Sequence, residues 1–386
     1  MTTPTQTNRT ERIHALRANW REHGIDARLD IVPGTGHDHF AVLPAVRQFL
    51  ETQVSASPRP PLAGGHRAVT HPRLDPQIAQ LMADREKVGR AGPPDLRTLR
   101  ETTGTAIGAG RAAPRVDDSR DGVAPLDGRS LPLRVHRGAR EDCVVVFFHG
   151  GGFVKGDLDT HDGQARMLRD VTERSVVSVH YRLAPEHRFP CAYDDAVDVV
   201  QWARANAAAL TGRSSRPIRI AVAGTSAGAN LAVGAALAHA RTPAAPVAQL
   251  LAYPVLHGDP KSPSRTAFAE GYGLTSQAIE WFIGEYLTHP DQRRDPRFAP
   301  VLSQDLATLP PTVLVGAGLD PLRDDIRLFL KRLRAEGVTV VSFEEPTLPH
   351  GFWKYAPLAD TAADAATRMC EAFRDLLDSI ADRPAP

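Results

Sequence analysis

The sequence predicts an α/β fold with a mostly parallel, doubly wound sheet, on three observations. Val144–Phe148 is an unbroken apolar run of the kind buried on both faces of a parallel sheet. From there to the C-terminus, short apolar runs alternate with stretches of helical periodicity, the rhythm of βαβ units. The third is Ile220-Ala-Val-Ala-Gly224-Thr225-Ser226-Ala227-Gly228-Ala229-Asn230, an apolar strand that breaks at a small-residue turn and continues as a helix.

A chain of 386 residues accommodates one large domain, or a domain with an appendage. Its hydrophobic fraction of 42% supports a substantial core and excludes global disorder. The 46 basic residues nearly match the 45 acidic ones, so nothing indicates a nucleic-acid or membrane-surface partner. Cys143, Cys191 and Cys370 are scattered and form no CxxC pair, which argues against a disulfide framework or a zinc site and fits a reducing cytoplasm. Met1–Trp20 is polar and lacks a signal-peptide core, and no apolar run approaches membrane-spanning length. The expectation is a soluble, cytoplasmic protein.

Residues 1–55 read as helix, strand, helix. Thr10–His23 carries helical spacing (Ile13, Leu16, Trp20) and Gly24 stops it; Ala27–Val32 alternates, Pro33–Gly36 turns, and Phe40–Leu50 is again helical. Near the C-terminus, Ile326–Ala335, Gly337, Val338–Phe343 and His350-Gly-Phe352 repeat that order, and Gly24 is as far from His37 as Gly337 is from His350. Either this is coincidence in a common pattern, or residues 1–55 are a detached copy of the C-terminal module, without a nucleophile of their own. Residues 56–72, rich in proline and glycine, read as a linker.

A helix begins at Asp75-Pro76, with proline early in it, and Pro93–Thr105 reads as another. Asp117–Gly122 and Asp127-Gly128 are turn-like, and Leu131–His136 is a short strand. Further strands are expected at Val176–His180, Ile218–Ala223, Val247–Ala252, Thr312–Gly316 and Val338–Phe343. Helices are expected at His161–Thr172, Cys191–Ala208, from Ser226 to about Ala240, at Ile326–Ala335 and at the C-terminus. Residues 265–300 interrupt this rhythm with aromatic-rich sequence (Phe268, Tyr272, Trp281, Phe282, Tyr286), which reads either as a lid over a site or as plain core.

Ser226 on a strand-to-helix turn projects its hydroxyl from the sheet edge, and small Gly224, Ala227 and Gly228 avoid clashes there. The helix that follows points its N-terminal amides at that hydroxyl. A serine used in acyl transfer also needs a base, an acid to orient the base, and donors for an oxyanion. Asp320 follows the Thr312–Gly316 strand, and His350 follows the next one, in the chain order that such a turn requires. Upstream, His149-Gly150-Gly151-Gly152-Phe153 follows Val144–Phe148. Three consecutive glycines let backbone amides approach a ligand, which makes Gly151, Gly152 and Ala227 the expected oxyanion donors.

These motifs together resemble the hormone-sensitive-lipase family of α/β-hydrolases, in its bacterial carboxylesterase branch. The resemblance rests on His149–Phe153, Gly224–Asn230, Asp320-Pro-Leu-Arg-Asp324, His350-Gly-Phe352, and Tyr181-Arg-Leu-Ala-Pro-Glu186 with Phe189-Pro190, and covers about residues 72–384. It implies an α/β-hydrolase domain over 73–384 with a helical cap from about 74–112 and 265–300. It further implies a serine carboxylesterase acting on short-chain, small-molecule esters through an acyl-enzyme, with no cofactor and no metal. Thr225 resembles the subgroup with threonine before the nucleophile; Ala229 stands where many relatives have glycine, and Asp325 where many have glutamate. Residues 1–55 lie outside the family pattern.

Other residues compete for these roles. Asp324 and Asp325 open a helix, where acids often only complement the dipole. His161, His180, His187 and His257 are rival histidines, but only His350 lies in the last strand-to-helix loop. His149 reads as a brace for the glycine loop and His187 as part of a turn; Asp157, Asp159 and Asp162 either tie that loop down or form a solvated cluster. His37 and His39 lack a third metal ligand nearby. Gly36-His-Asp-His39-Phe40 loosely resembles arylformamidases, so an amide hydrolase is the alternative within the class. A ligand-binding relative without catalysis, of the gibberellin-receptor kind, is the alternative outside it, although such receptors lack the histidine that this chain keeps at 350. A homodimer is a further expectation, as is an interaction role for residues 1–55.

Overall fold

The computed structural model describes residues 73–87, 96, 100, 119–212 and 218–381, all within the unit that spans 70–386. The readings of 1–55, of the linker and of most of 93–112 lie outside the described residues; Leu96 and Arg100, inside the expected second helix, are helical.

Eight strands form one sheet: β1 (Ser119–Leu126), β2 (Arg129–His136), β3 (Arg140–Phe148), β4 (Arg174–Val179), β5 (Arg219–Thr225), β6 (Gln249–Ala252), β7 (Thr312–Leu319) and β8 (Val340–Pro349), in the order β1-β2-β4-β3-β5-β6-β7-β8. The β1–β2 and β2–β4 pairs are antiparallel and the rest parallel. Consecutive residues of β3, β5 and β7 are buried, so both faces of the sheet are covered. The chain leaves β3 for β4 on one side and returns to β5 on the other. That reversal makes the carboxyl ends of β3 and β5 a topological switch point, where α/β sheets bind ligands.

The covering helices are α1 (Pro76–Lys87), α2 (Asp162–Thr172), α3 (Cys191–Ala205), α4 (Ala207–Thr211), α5 (Ala227–His239), α6 (Pro263–Ala267), α7 (Ser276–Tyr286), α8 (Arg323–Ala335) and α9 (Asp360–Ala381). Between β6 and β7 the chain makes an excursion through α6, α7 and three short 3-10 turns. Thr275 caps α7 by accepting the Ala278 amide at 3.0 Å. Tyr286 stacks on Phe153 at 4.0 Å and Phe268 is fully buried, so these two of the five expected aromatics are core, while Trp281 is 40% exposed. Among the described residues, no helix is long and apolar enough to cross a membrane.

The structure departs from the expected elements at the sheet edges. Ser119–Gly122, read as part of a turn, opens strand β1, which pairs with β2 from Ser119↔His136 to Leu126↔Arg129 around the expected Asp127-Gly128 turn. Residues 120–123 are exposed, so this edge strand carries no apolar alternation to betray it. Strand β8 runs to Pro349, past the expected end at Phe343, and delivers His350 directly.

Candidate active site

Ser226 sits where β5 becomes α5, at φ 52° and ψ −117°. A non-glycine residue at positive φ is strained and persists only where its surroundings hold it. Here the Ser226 amide donates to Ala252 O at 2.9 Å, and its carbonyl accepts from the amides of Ala229, Asn230 and Val255. A Cβ on Gly228 would lie 2.0 Å from Phe148 O, so the helix can approach β3 only with glycine at that position.

Asp320 and His350 follow the carboxyl ends of β7 and β8. The structure brings all three residues into line. His350 Nδ1 is 2.8 Å from Asp320 Oδ2, and His350 Nε2 is 2.9 Å from Ser226 Oγ. The Asp320 carboxylate is fully buried, and its Oδ1 accepts the Leu322 amide at 2.8 Å. Donation of Nδ1–H to that carboxylate leaves the Nε2 lone pair to accept the Ser226 hydroxyl proton.

Gly151 and Gly152 follow Gly150, where a Cβ would lie 3.4 Å from Ser226 Cβ, and adopt φ 130° and 63°. A Cβ would lie 2.0 Å from Lys155 O at Gly151, and 2.4 Å from Phe282 Cγ at Gly152. Among the described residues the amides of Gly151 and Gly152 donate to no acceptor, and Ala227 opens α5, where an amide has no intrahelical partner. Among the described residues, none of these three amides has a hydrogen-bond acceptor.

His149 braces this loop, as the sequence suggests. It is fully buried, its Nδ1 is 2.8 Å from Gly150 O, and its ring stacks on Tyr181 at 4.3 Å, whose hydroxyl donates to His149 O. His161 and His180 flank it at 5.3 and 6.0 Å. Burial pulls His149 well below the ordinary imidazole range, His161 to about 3, and His180 downward as well. The Tyr181–Glu186 block supports the same loop: Ala184 N donates to Phe153 O, and Arg100 links Glu186 to Val154 O and Ala184 O.

The rival residues have other places. Asp157 closes a turn with Thr160, and Asp159 and Asp162 pair with Arg134 on β2, so these acids tie the segment down. Asp324 accepts the Ser264 amide, whereas Asp325 is buried beneath Gly258, with burial pushing its carboxyl up to about 7; neither is bonded to His350. His187 is exposed; neither it nor His257 is bonded to Ser226 or Asp320. His37 and His39 lie outside the described residues; among those described, no cluster of three or more His, Cys, Asp or Glu side chains is placed to hold a metal ion.

Tyr253 carries no sequence signal; at φ 38° it packs edge-on against His350. Phe282 of α7, within the stretch read as lid or core, covers the Gly152 backbone. Both contacts depend on tertiary packing. By contrast, the Asn230 side chain, which donates to Val255 O and Phe298 O, lies within the quoted strand-turn-helix motif.

Residues 145–354 match the family model for the alpha/beta hydrolase fold. The carboxylesterase NlhH of Mycobacterium tuberculosis is 36% identical over 325 residues, 80% of this chain and 98% of that protein. The ethyl acetate hydrolase of Pseudomonas putida is 36% identical over 258 residues, 65% of this chain and 80% of that protein. The crystal structure of the Pyrobaculum calidifontis esterase superposes with a TM-score of 0.71 at 31% identity, covering 79% of this chain and 99% of that one. With the strand order and the motifs quoted above, the chain belongs to the alpha/beta hydrolases, in the hormone-sensitive-lipase family.

Proposed function

We propose that this carboxylic ester hydrolase works by acyl transfer through Ser226. The observation that carries the reading is the continuous line Asp320–His350–Ser226, with bonds of 2.8 and 2.9 Å, beside three unengaged amides. Ser226 Oγ attacks the ester carbonyl carbon as Nε2 of His350 takes its proton. Asp320 holds the ring in that tautomer and stabilises the imidazolium. The amides of Gly151, Gly152 and Ala227 receive the tetrahedral oxyanion, each worth about 3 kcal/mol of transition-state stabilisation. Collapse expels the alcohol, which takes the proton from Nε2–H, and leaves an acyl-serine; water then repeats the sequence and releases the acid.

Short-chain esters are the substrates we infer. The excursion between β6 and β7 acts as a cap: Phe282 lies against Gly152, and Met82 of α1 lies against Gly273. The relative named for ethyl acetate hydrolysis supports the same size class. All six reacting or stabilising groups lie between residues 151 and 350, and on this reading a chain lacking 1–60 keeps ester hydrolysis. A homodimer is a further part of this proposal, and light scattering of the purified protein tests it.

The reading is tested with short-chain p-nitrophenyl esters. Wild type turns them over and is labelled at Ser226 by an organophosphate, while folded Ser226→Ala does neither. Turnover by that variant would overturn the mechanism.

A further inference from the structure

Two carboxylates on the segment behind the histidine are buried, Asp320 at 0% and Asp325 at 1% exposure. Only Asp320 touches His350. Asp325 accepts the Gly258 amide at 3.3 Å, a long bond for a buried carboxylate. Two neighbouring buried acids cannot both carry charge cheaply without a cation.

The cation comes from α6. Ser264 N donates to Asp324 Oδ2 at 2.8 Å, Ser264 Oγ donates to Pro321 O at 2.7 Å, and the Arg323 guanidinium lies 4.6 Å above the Phe268 ring. These contacts seat α6 directly on the segment that carries Asp320 and Asp325. The residue after Ser264 is Arg265, 3% exposed, whose charge faces Asp325, Glu280 and Asp320. Its shortest ion pair, to Glu280, is 3.6 Å, and among the described residues its guanidinium donates no hydrogen bond. Arg293 pairs with Glu280 at 2.6 Å and donates to Gly258 O at 3.2 Å, so the circuit closes on the glycine whose amide binds Asp325. A guanidinium buried without directional bonds contributes mainly its charge.

We propose that Arg265 and Asp325 are positioning residues: the Arg265 cation balances Asp325, and together they set the electrostatic field at the Asp320–His350 bond without touching His350. Asp325 is suited to this, because burial pushes its carboxyl up to about 7 against the opposing pull of Arg265, with Asp320 and Asp259 also facing it. The inference rests on the reading of Ser226, His350 and Asp320 as the reacting groups. Its test is therefore read from where the pH profile lies, not from whether activity exists.

Arg265→Met keeps the apolar stem and removes the cation. Loss of that positive charge favours the imidazolium, so the acid limb of kcat/KM moves to higher pH by roughly 0.5–1 unit. Asp325→Asn keeps an acceptor for Gly258 N and removes the share of negative charge that the carboxyl carries near pH 7, so the limb moves to lower pH by a smaller amount. The double variant lies between the two single variants, the signature of a coupled pair. General loosening of the fold lowers kcat without opposed displacements. Limbs that stay in place, or move the same way, overturn the proposal. If Arg265→Met does not fold by circular dichroism, Asp325→Asn alone decides: displacement to lower pH supports the proposal, and an unmoved or raised limb overturns it. Activity in Ser226→Ala would overturn the underlying reading instead, and that outcome is separately visible.

Discussion

The ring of Tyr253 meets the imidazole of His350 at 67°, with centroids 5.0 Å apart. On its other flank Tyr253 meets Phe352 at 5.1 Å, and its amide donates to Val315 O at 2.6 Å. A tyrosine at φ 38° costs on the order of 1–3 kcal/mol, so its neighbours must hold it there. The ring limits rotation of the imidazole away from the Asp320–Ser226 line. Tyr253→Phe is expected to keep full activity. Tyr253→Leu is expected to lower kcat about 10- to 100-fold with KM little changed, because an imidazole free to tilt loses its attack geometry. Steady-state kinetics on a p-nitrophenyl ester distinguish the two, and an undiminished kcat in Tyr253→Leu would show that the ring is not needed.

Asn230 has a different task. Its Nδ2 donates to Val255 O at 2.8 Å and to Phe298 O at 2.7 Å, one before α6 and one after α7 in the excursion between β6 and β7. One side chain on the helix after Ser226 thus pins both roots of the cap. Asn230→Ala leaves two buried carbonyls unpaired, at about 1–3 kcal/mol each. Chemical denaturation should show a loss of roughly 2–5 kcal/mol, with unchanged ligand-free secondary structure by circular dichroism. A loss under about 1 kcal/mol would mean that the carbonyls find other partners.

Why these residues differed in legibility is a matter of what each depends on. Ser226 and Asp320 each follow a strand whose apolar run is strong, and His350 follows the last strand, so chain order suggested that they converge. The glycine loop was legible for the same reason, since it follows the buried β3. Strand β1 was not, because residues 120–123 face solvent and its pairing is set by the ladder to β2. Asp159 and Asp162 left two readings open until Arg134, on another strand, appeared as their shared partner. Asp325 looked like a dipole partner at a helix start; its burial under Gly258 arises only when the excursion folds back over α8.

Gly152 makes the oxyanion side testable. At φ 63°, with the Phe282 ring where a Cβ would stand, alanine cannot be accommodated without moving the loop or the cap. Gly152→Ala is expected to lower kcat on the order of 100- to 1,000-fold, the usual cost of a displaced oxyanion donor. Labelling of Ser226 by an organophosphate should slow in parallel, because that reaction also builds negative charge on oxygen. Normal labelling with reduced ester turnover would place the damage elsewhere.

The histidines behind the glycine loop predict how the protein fails in acid. His161 is buried against His149, and burial holds it near 3 where an unfolded chain takes the proton near 6.5. Above pH 6.5 the ring is neutral in both states, so its contribution to stability is fully present. As pH falls below 6.5, the unfolded chain binds a proton that the folded chain refuses, and stability is lost progressively towards pH 3. By pH 5 this one group costs about 2 kcal/mol, and His149 and His180, pulled the same way, add to it. The melting temperature should therefore fall steeply between pH 6.5 and 5. His161→Asn, which cannot titrate in this range, should flatten that fall even if its melting temperature at pH 7.5 is lower. Parallel acid profiles for wild type and variant would mean that the loss arises elsewhere, for instance at His136, which burial also pulls down, to about 4.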